Sequence, residues 1–191
     1  EEANRARTTE FWTWPLLSRY NCHPSMSSQS GESRSDPASA FQTLLERALL
    51  LDLEVSHTGK ILKVGAVLGP RLLARSGNNP LKEVCGELER LATGARCILG
   101  HNLIRHDLRI LHDQAPGLSL LQLPVIDTLV LSPICFPENP YHRLVKDYKL
   151  VRESVNDPVA DARQAAALFQ DEFQALDRLR HTQPGLFEVL H

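Results

Sequence analysis

The feature that most constrains the fold is a short apolar run, 48–55, which only two residues interrupt, and both are acidic: Asp52 and Glu54. Successive side chains of a β-strand point to opposite faces, so acids two positions apart share one face. Carboxylates that share a partly buried face repel each other and lose hydration unless a positive charge compensates them. The run therefore predicts a strand whose acids bind a divalent cation or, as the alternative, an edge strand whose acids lie in solvent.

Further apolar runs and turns predict that this strand begins an antiparallel meander. Turn residues at 56–59 separate it from a second run, 61–68, and Gly69 and Pro70 precede a third strand at 71–75. Helix-like and strand-like patterns then alternate, and they predict a helix at 81–93, a strand at 97–100, a helix at 104–112, a strand at 124–129 and a long helix from 158. Three strands followed by this alternation predict an α/β fold with a sheet of mixed direction.

The length of 191 residues, 42% of them hydrophobic, suits one domain with a core and is too short for two ordinary ones. The segment 25–37 is almost entirely polar, and such a segment cannot offset the entropy of ordering. We therefore expect a flexible arm over 1–40, a domain over 41–191 and a helical lead-in at 38–47. The sole methionine is Met26, which favours a vector-derived origin of the first 25 residues over an upstream read-through or a partner-docking arm.

Composition excludes several classes of protein. The formal net charge of -2 argues against a generally basic nucleic-acid coat, so any contact with nucleic acid must be local. No apolar run reaches the ~18 residues that a membrane span needs. The four cysteines form no Cys-x-x-Cys pair, which argues against a zinc site or a redox motif. We expect a soluble protein of a reducing compartment, the cytoplasm.

Two further acids occur where predicted helices begin. Asp107 ends the segment Gly-His-Asn-Leu-Ile-Arg-His-Asp after a predicted strand, and Asp161 lies near the start of the last helix. With Asp52 and Glu54 they make four acids beside apolar core, a set that suits two hard cations with oxygen ligands. A structural role at the start of the last helix is compatible with metal binding. Asp157 followed by proline fits an N-cap, and the helix dipole then favours the negative charge of Asp161 in the first turn.

These segments resemble the motifs of the DEDD (DnaQ-like) family of 3′→5′ exonucleases. Asp52 and Glu54 match the first motif, Asp-x-Glu on the first strand, and Asp161 matches the third. The second motif is matched by Gly100, His101, Asn102, His106 and Asp107, with His106 where phenylalanine is commoner. The order, spacing and secondary-structure context of the motifs agree over about 48–176, whereas any one motif alone is weak.

The resemblance implies a ribonuclease H-like fold, with a mixed five-stranded sheet and helices on both faces. It also implies a metal-dependent 3′→5′ exonuclease that hydrolyses phosphodiester bonds at single-stranded DNA ends, or RNA ends, by a two-metal mechanism. The metal ligands would be the four acids Asp52, Glu54, Asp107 and Asp161, and the cofactors two Mg²⁺ or Mn²⁺ ions. The partners would be a single-stranded 3′ end and a helicase or polymerase, either separate or fused. The alternative is a weakened or inactive domain of this fold that binds nucleic acid or a partner protein.

One departure from the family concerns the catalytic base. The family's histidine lies five positions before the last acid and its tyrosine four before, where this chain has Asn156 and Asp157. Asn156 cannot accept a proton from water near neutral pH, so we expect slow turnover there and a preference for Mn²⁺. His142 and Tyr148 are candidates to replace the base.

Basic residues precede the third motif at intervals of three positions: Arg143, Lys146, Lys149 and Arg152. If this segment is helical, they form a stripe that could track the phosphates of a single strand, or else an ordinary solvated surface. Arg105 and Asn102, on the second motif, are further candidates to bind nucleic acid. His101 contributes either to the site or to hydrogen-bonded packing.

Overall fold

The structure is a computed structural model, and it describes residues 37–77, 80–142 and 157–189. Its five strands are β1 (Ala48–Val55), β2 (Ile61–Leu68), β3 (Arg71–Ser76), β4 (Cys97–Gly100) and β5 (Val125–Asp127). They form one sheet in the order β3-β2-β1-β4-β5. β1, β2 and β3 pair antiparallel, whereas β4 and β5 run parallel to β1. The predicted meander and the predicted α/β sheet of mixed direction are therefore confirmed.

Six helices accompany the sheet in the described residues: α1 (Pro37–Leu45), α2 (Leu81–Ala92), α3 (Asp107–Gln114), α4 (Thr128–Cys135), α5 (Pro158–Thr182) and α6 (Pro184–Val189). A 3-10 helix at Ser119–Gln122 precedes β5. Within these residues, no helix combines the length and the apolar character needed to cross a membrane.

Several predicted boundaries differ from the structure. α1 begins at Pro37, so 37–40 belong to a helix and not to the predicted arm, while 1–36 lie outside the described residues. The helix predicted at 104–112 begins only at Asp107. The strand predicted at 124–129 ends at Asp127, because the Asp127 side chain accepts a hydrogen bond from the Leu129 backbone nitrogen and caps α4.

The alternation of side chains along β1 divides the core between the two faces of the sheet. Leu49 and Leu51 pack with α2 and α3 on one face. Ala48 and Leu50 pack with α1 and α5 on the other. Helices therefore cover both faces, as predicted. By the same alternation Asp52 lies on the α5 face.

Gly65 allows α5 to approach this face closely. Gly65 pairs with Asp52 across the β1–β2 ladder. A Cβ atom at Gly65 would lie only 2.3 Å from the carbonyl carbon of Pro158 and 2.4 Å from the nitrogen of Val159. The N-cap of α5 is Asp157, as predicted, and its side chain accepts a hydrogen bond from the Val159 nitrogen at 3.0 Å. The first turn of α5 therefore rests on the sheet beside Asp52.

Candidate active site

Asp52 and Glu54 lie on the central strand of the sheet. β1 is flanked by β2 and β4, so the alternative of an exposed edge strand is wrong. Both side chains are half-buried on the α5 face, which we call the acidic face. Glu54 Oε2 lies 3.1 Å from Lys63 Nζ on β2. Glu54 Oε1 is buried and has no hydrogen-bond partner among the described residues.

Asp107 binds directly to the backbone of β1. Its Oδ1 accepts a hydrogen bond of 2.7 Å from the nitrogen of Leu53, the residue between the two acids of β1. Asp107 is only 2% exposed. Burial raises the pKa of this carboxyl group, against the opposing effect of hydrogen bonds from His106 and Leu53. The second motif is thus joined to the first, although 54 positions separate Leu53 from Asp107 along the chain.

His106 lies between the acids of these two motifs. Its Nδ1 is 3.4 Å from Asp107 Oδ2. The hydrogen bond to Asp107 raises the pKa of His106, burial opposes the shift, and the charges of Asp107 and Asp52 add to it. The side chain remains 40% exposed. An imidazole at this position can therefore carry a proton at the solvent boundary of the site, which a phenylalanine could not do.

Asp127 holds the loop that carries the second motif. Its Oδ1 accepts a hydrogen bond from the nitrogen of Asn102 at 2.8 Å, and its Oδ2 accepts one from the nitrogen of Ile104 at 3.0 Å. Asn102 has a positive φ of 63°, a conformation that asparagine tolerates better than most residues. Asp127 was not predicted as a supporting residue. Its signal was an acid followed by threonine at the end of a strand, a common start of a helix.

His101 belongs to a packing network. Its Nδ1 lies 2.8 Å from Thr128 Oγ1, and this hydroxyl donates to the carbonyl oxygen of Gly100 at 3.3 Å. Burial lowers the pKa of His101, against the smaller effect of the charges of Asp127 and Asp107. These two contacts support the hydrogen-bonded packing role predicted for His101, and its role in the site stays a prediction.

Asp161 lies in the first turn of α5, half-buried, and its backbone nitrogen bonds to the carbonyl oxygen of Asp157 at 2.9 Å. This turn packs over Gly65 and therefore lies on the same side of the sheet as Asp52. Residues 37–77, 80–142 and 157–189 nevertheless contain no group of three or more histidine, cysteine, aspartate or glutamate side chains arranged to hold a metal ion. The contacts join Asp107 to the backbone of β1 and put the start of α5 on the side of the sheet that carries Asp52, without a closed coordination sphere among the described residues.

Several predicted residues lie outside the described residues: Asn156, Arg143, Lys146, Lys149, Tyr148 and Arg152. Arg105 is exposed on the loop beside Asp107, in a position to meet a ligand from solvent. His142 is half-buried, and its Nδ1 has no hydrogen-bond partner among the described residues.

A groove of about 340 Å³ lies between β2, β3 and the start of α2. Lys60, Lys63 and Arg75 line it together with apolar side chains, and we call it the basic groove. Arg75 is paired with Glu87 on α2. None of these cations was predicted as a site residue, because they come from β2, the residue before it and β3, and come together only when the strands pair.

A comparison of the chain with protein-family models finds no match, and a search of curated proteins finds no relative. The functional assignment therefore depends on the motifs, the sheet and the contacts between the acids.

Proposed function

We propose that the chain is a DEDD (DnaQ-like) nuclease domain that removes nucleotides from the 3′ end of single-stranded DNA, or RNA. The observation that supports this most strongly is the hydrogen bond from the Leu53 nitrogen to Asp107. It brings the carboxylate of the second motif to the strand that carries Asp52 and Glu54. The first two motifs of the resemblance are thus spatial neighbours.

The sheet supports a ribonuclease H-like fold as part of this proposal. An antiparallel β1–β2–β3 meander continued by parallel β4 and β5 is consistent with that fold. In this arrangement Asp52 and Glu54 lie in the second half of β1, Asp107 is the first residue of α3, and Asp161 lies in the first turn of α5. The proposal requires the acids of these three segments to face one region.

The residues present fit hard divalent cations. Their donors are carboxylate oxygens, the ligands that Mg²⁺ and Mn²⁺ prefer. The buried Glu54 Oε1 lacks a hydrogen-bond partner in the described part of the chain, and the buried Asp107 carboxylate is destabilised by desolvation, so both would gain from a cation. Asp52, Glu54 and Asp161 would hold one ion, with Asp52 shared, and Asp107 would support a second. Such ions supply charge stabilisation at the scissile phosphate and lower the pKa of a bound water.

The other residues of the site would orient and bind. Asp107 orients His106, and Asp127 fixes the loop between them and β4. Arg105, which is exposed beside Asp107, offers a cation to the phosphates of a single strand, while Asn102, Arg143, Lys146 and Lys149 stay predicted contacts. Because Asn156 replaces the family's histidine, we propose that turnover is slow at neutral pH.

Release of mononucleotides from a 3′-labelled single-stranded oligonucleotide, with Mg²⁺ and with Mn²⁺, tests the proposal. We expect Asp52→Asn and Asp107→Asn each to lower the rate by about 100-fold or more. The matched control is Asp113→Asn, because Asp113 is an exposed acid near the far end of α3 and should not affect the rate. Absence of release with either ion, or full activity in Asp52→Asn, would contradict the proposal.

A second candidate function is binding without cleavage, to nucleic acid or to a partner such as a helicase or polymerase. Asn156 and the spread of the four acids favour it. It predicts that the wild-type protein binds a single-stranded oligonucleotide in anisotropy measurements while no nucleotide is released.

We further propose a cytoplasmic location, which the free thiols of Cys85, Cys97 and Cys135 support.

A further inference from the structure

Lys63 brings a positive charge to the acidic face. It is the cross-strand partner of Glu54 in the β1–β2 ladder, and its Nζ lies 3.1 Å from Glu54 Oε2. The two side chains are 26% and 21% exposed, so the ion pair is only partly solvated. Only one oxygen of Glu54 takes part, since Oε1 is buried without a hydrogen-bond partner among the described residues.

The neighbouring pair on the same face is Asp52 and Gly65. Directly opposite residues of an antiparallel pair point to the same face. Lys63 therefore lies on the face that α5 covers, two residues along β2 from Gly65. Its ammonium group is therefore beside the carboxylates to which the proposed function assigns an ion.

Lysine suits a temporary contact at this position. Its ammonium is a compact charge on a flexible stem of four carbons, and it lacks the rigid two-pronged geometry with which arginine holds a carboxylate. The Lys63 side chain is 26% exposed, so its ammonium can move into solvent when Glu54 takes another partner.

We infer that Lys63 is a displaceable counter-ion: its ammonium balances Glu54 in the ion-free protein, and a divalent cation that binds Glu54 takes its place. This inference rests on the proposed function, because it concerns the same carboxylates. An ammonium and a divalent cation on one carboxylate repel each other, so the Lys63 charge weakens cation binding while it stabilises the ion-free state. Lys63 is thus a positioning residue that sets the cation affinity of the site.

The test is calorimetric titration of the full chain with Mn²⁺ alone at low salt. Lys63→Met removes the charge and keeps the apolar stem, and we expect it to bind Mn²⁺ about three- to tenfold more tightly than wild type. Lys63→Arg keeps the charge and holds a carboxylate more firmly, so it should bind Mn²⁺ no more tightly than wild type. The matched control is Lys60→Met, which removes a cation from the basic groove at a residue outside the Glu54 pair.

A second readout follows the folded state directly. Without Mn²⁺, Lys63→Met should have a lower Tm than wild type, and Mn²⁺ should raise its Tm by more. If Lys63→Met does not fold, Lys63→Gln replaces it in both measurements. Equal or weaker Mn²⁺ binding in the charge-removing variant overturns the inference while the cation site stands. Absence of Mn²⁺ binding in every variant, wild type included, overturns the cation site itself and with it the metal-dependent function.

Discussion

Glu172 is completely buried between α4 and α5. Its Oε1 accepts a hydrogen bond of 2.6 Å from Ser132 Oγ, while Oε2 is buried without a partner among the described residues. Burial raises the pKa of Glu172 to about 8, and the charges of Asp127 and Asp171 act in the same direction, against the Ser132 hydrogen bond. The residue is therefore mostly protonated in the folded protein at neutral pH, whereas it is ionised in the unfolded chain.

Glu172→Gln should remove a pH dependence from the folding stability. Between the ordinary pKa of 4.5 and about 8, folded Glu172 holds a proton that the unfolded chain has lost. The free energy of unfolding of wild type should therefore fall with rising pH across this window, by at most about 1.4 kcal/mol per pH unit, and level off above it. Urea unfolding at several pH values measures the slope. Asp171→Asn, at an exposed neighbour, should keep most of the wild-type pH slope. A slope in Glu172→Gln equal to that of wild type would contradict the prediction.

At the scale of elements, local patterns predicted what depends on local forces. The alternation in 48–55 predicted β1 and the common face of its two acids, and Asp157 followed by proline predicted the start of α5. The end of β5 depends on a local cap, in which the Asp127 carboxylate accepts a hydrogen bond from the Leu129 nitrogen, and the predicted strand ran past it. The role of Asp127 in holding Asn102 and Ile104 depends instead on donors that no window around Asp127 contains.

The candidate site shows the same division between local and distant information. The motifs singled out four acids as candidate ligands, and spacing predicted the shared face of Asp52 and Glu54. The Lys63 ion pair and the contact of Asp107 with the Leu53 nitrogen come from strand pairing and from the return of the chain to β1. Such contacts depend on tertiary register, which composition and periodicity do not contain.

Gly65→Ala tests how closely α5 must approach the sheet. The added Cβ would meet the backbone of Pro158 and Val159, which cannot rotate away as a side chain could. We expect a loss of about 3 kcal/mol in the free energy of unfolding, measured with urea, as α5 and Asp161 move off β2. Gly117→Ala is the matched control, since a Cβ there meets no atom within 4 Å and should change stability little. Equal stability of the two variants would contradict the close packing.

At the scale of the whole molecule, the charge of the protein depends on its proposed ions. The chain has a formal net charge of -2, which disfavours binding to a polyanion. Two divalent cations on the acidic residues would change the net charge to about +2 and would concentrate the added charge at those residues. Affinity for nucleic acid and occupancy by cations should therefore be coupled.

We expect Ca²⁺, which takes the same oxygen ligands, to strengthen binding of a fluorescent single-stranded oligonucleotide by about tenfold relative to chelator. Fluorescence anisotropy measures the affinity, and the gain should shrink between about 50 and 200 mM salt because exposed charges are screened. The double variant Asp52→Asn, Asp107→Asn separates charge from ligation. It loses two negative charges, so it should bind the oligonucleotide somewhat better than wild type in chelator, yet it should gain nothing from Ca²⁺. If Ca²⁺ does not change the affinity of the wild-type protein for the oligonucleotide at low salt, the acids do not bring a cation to the nucleic acid.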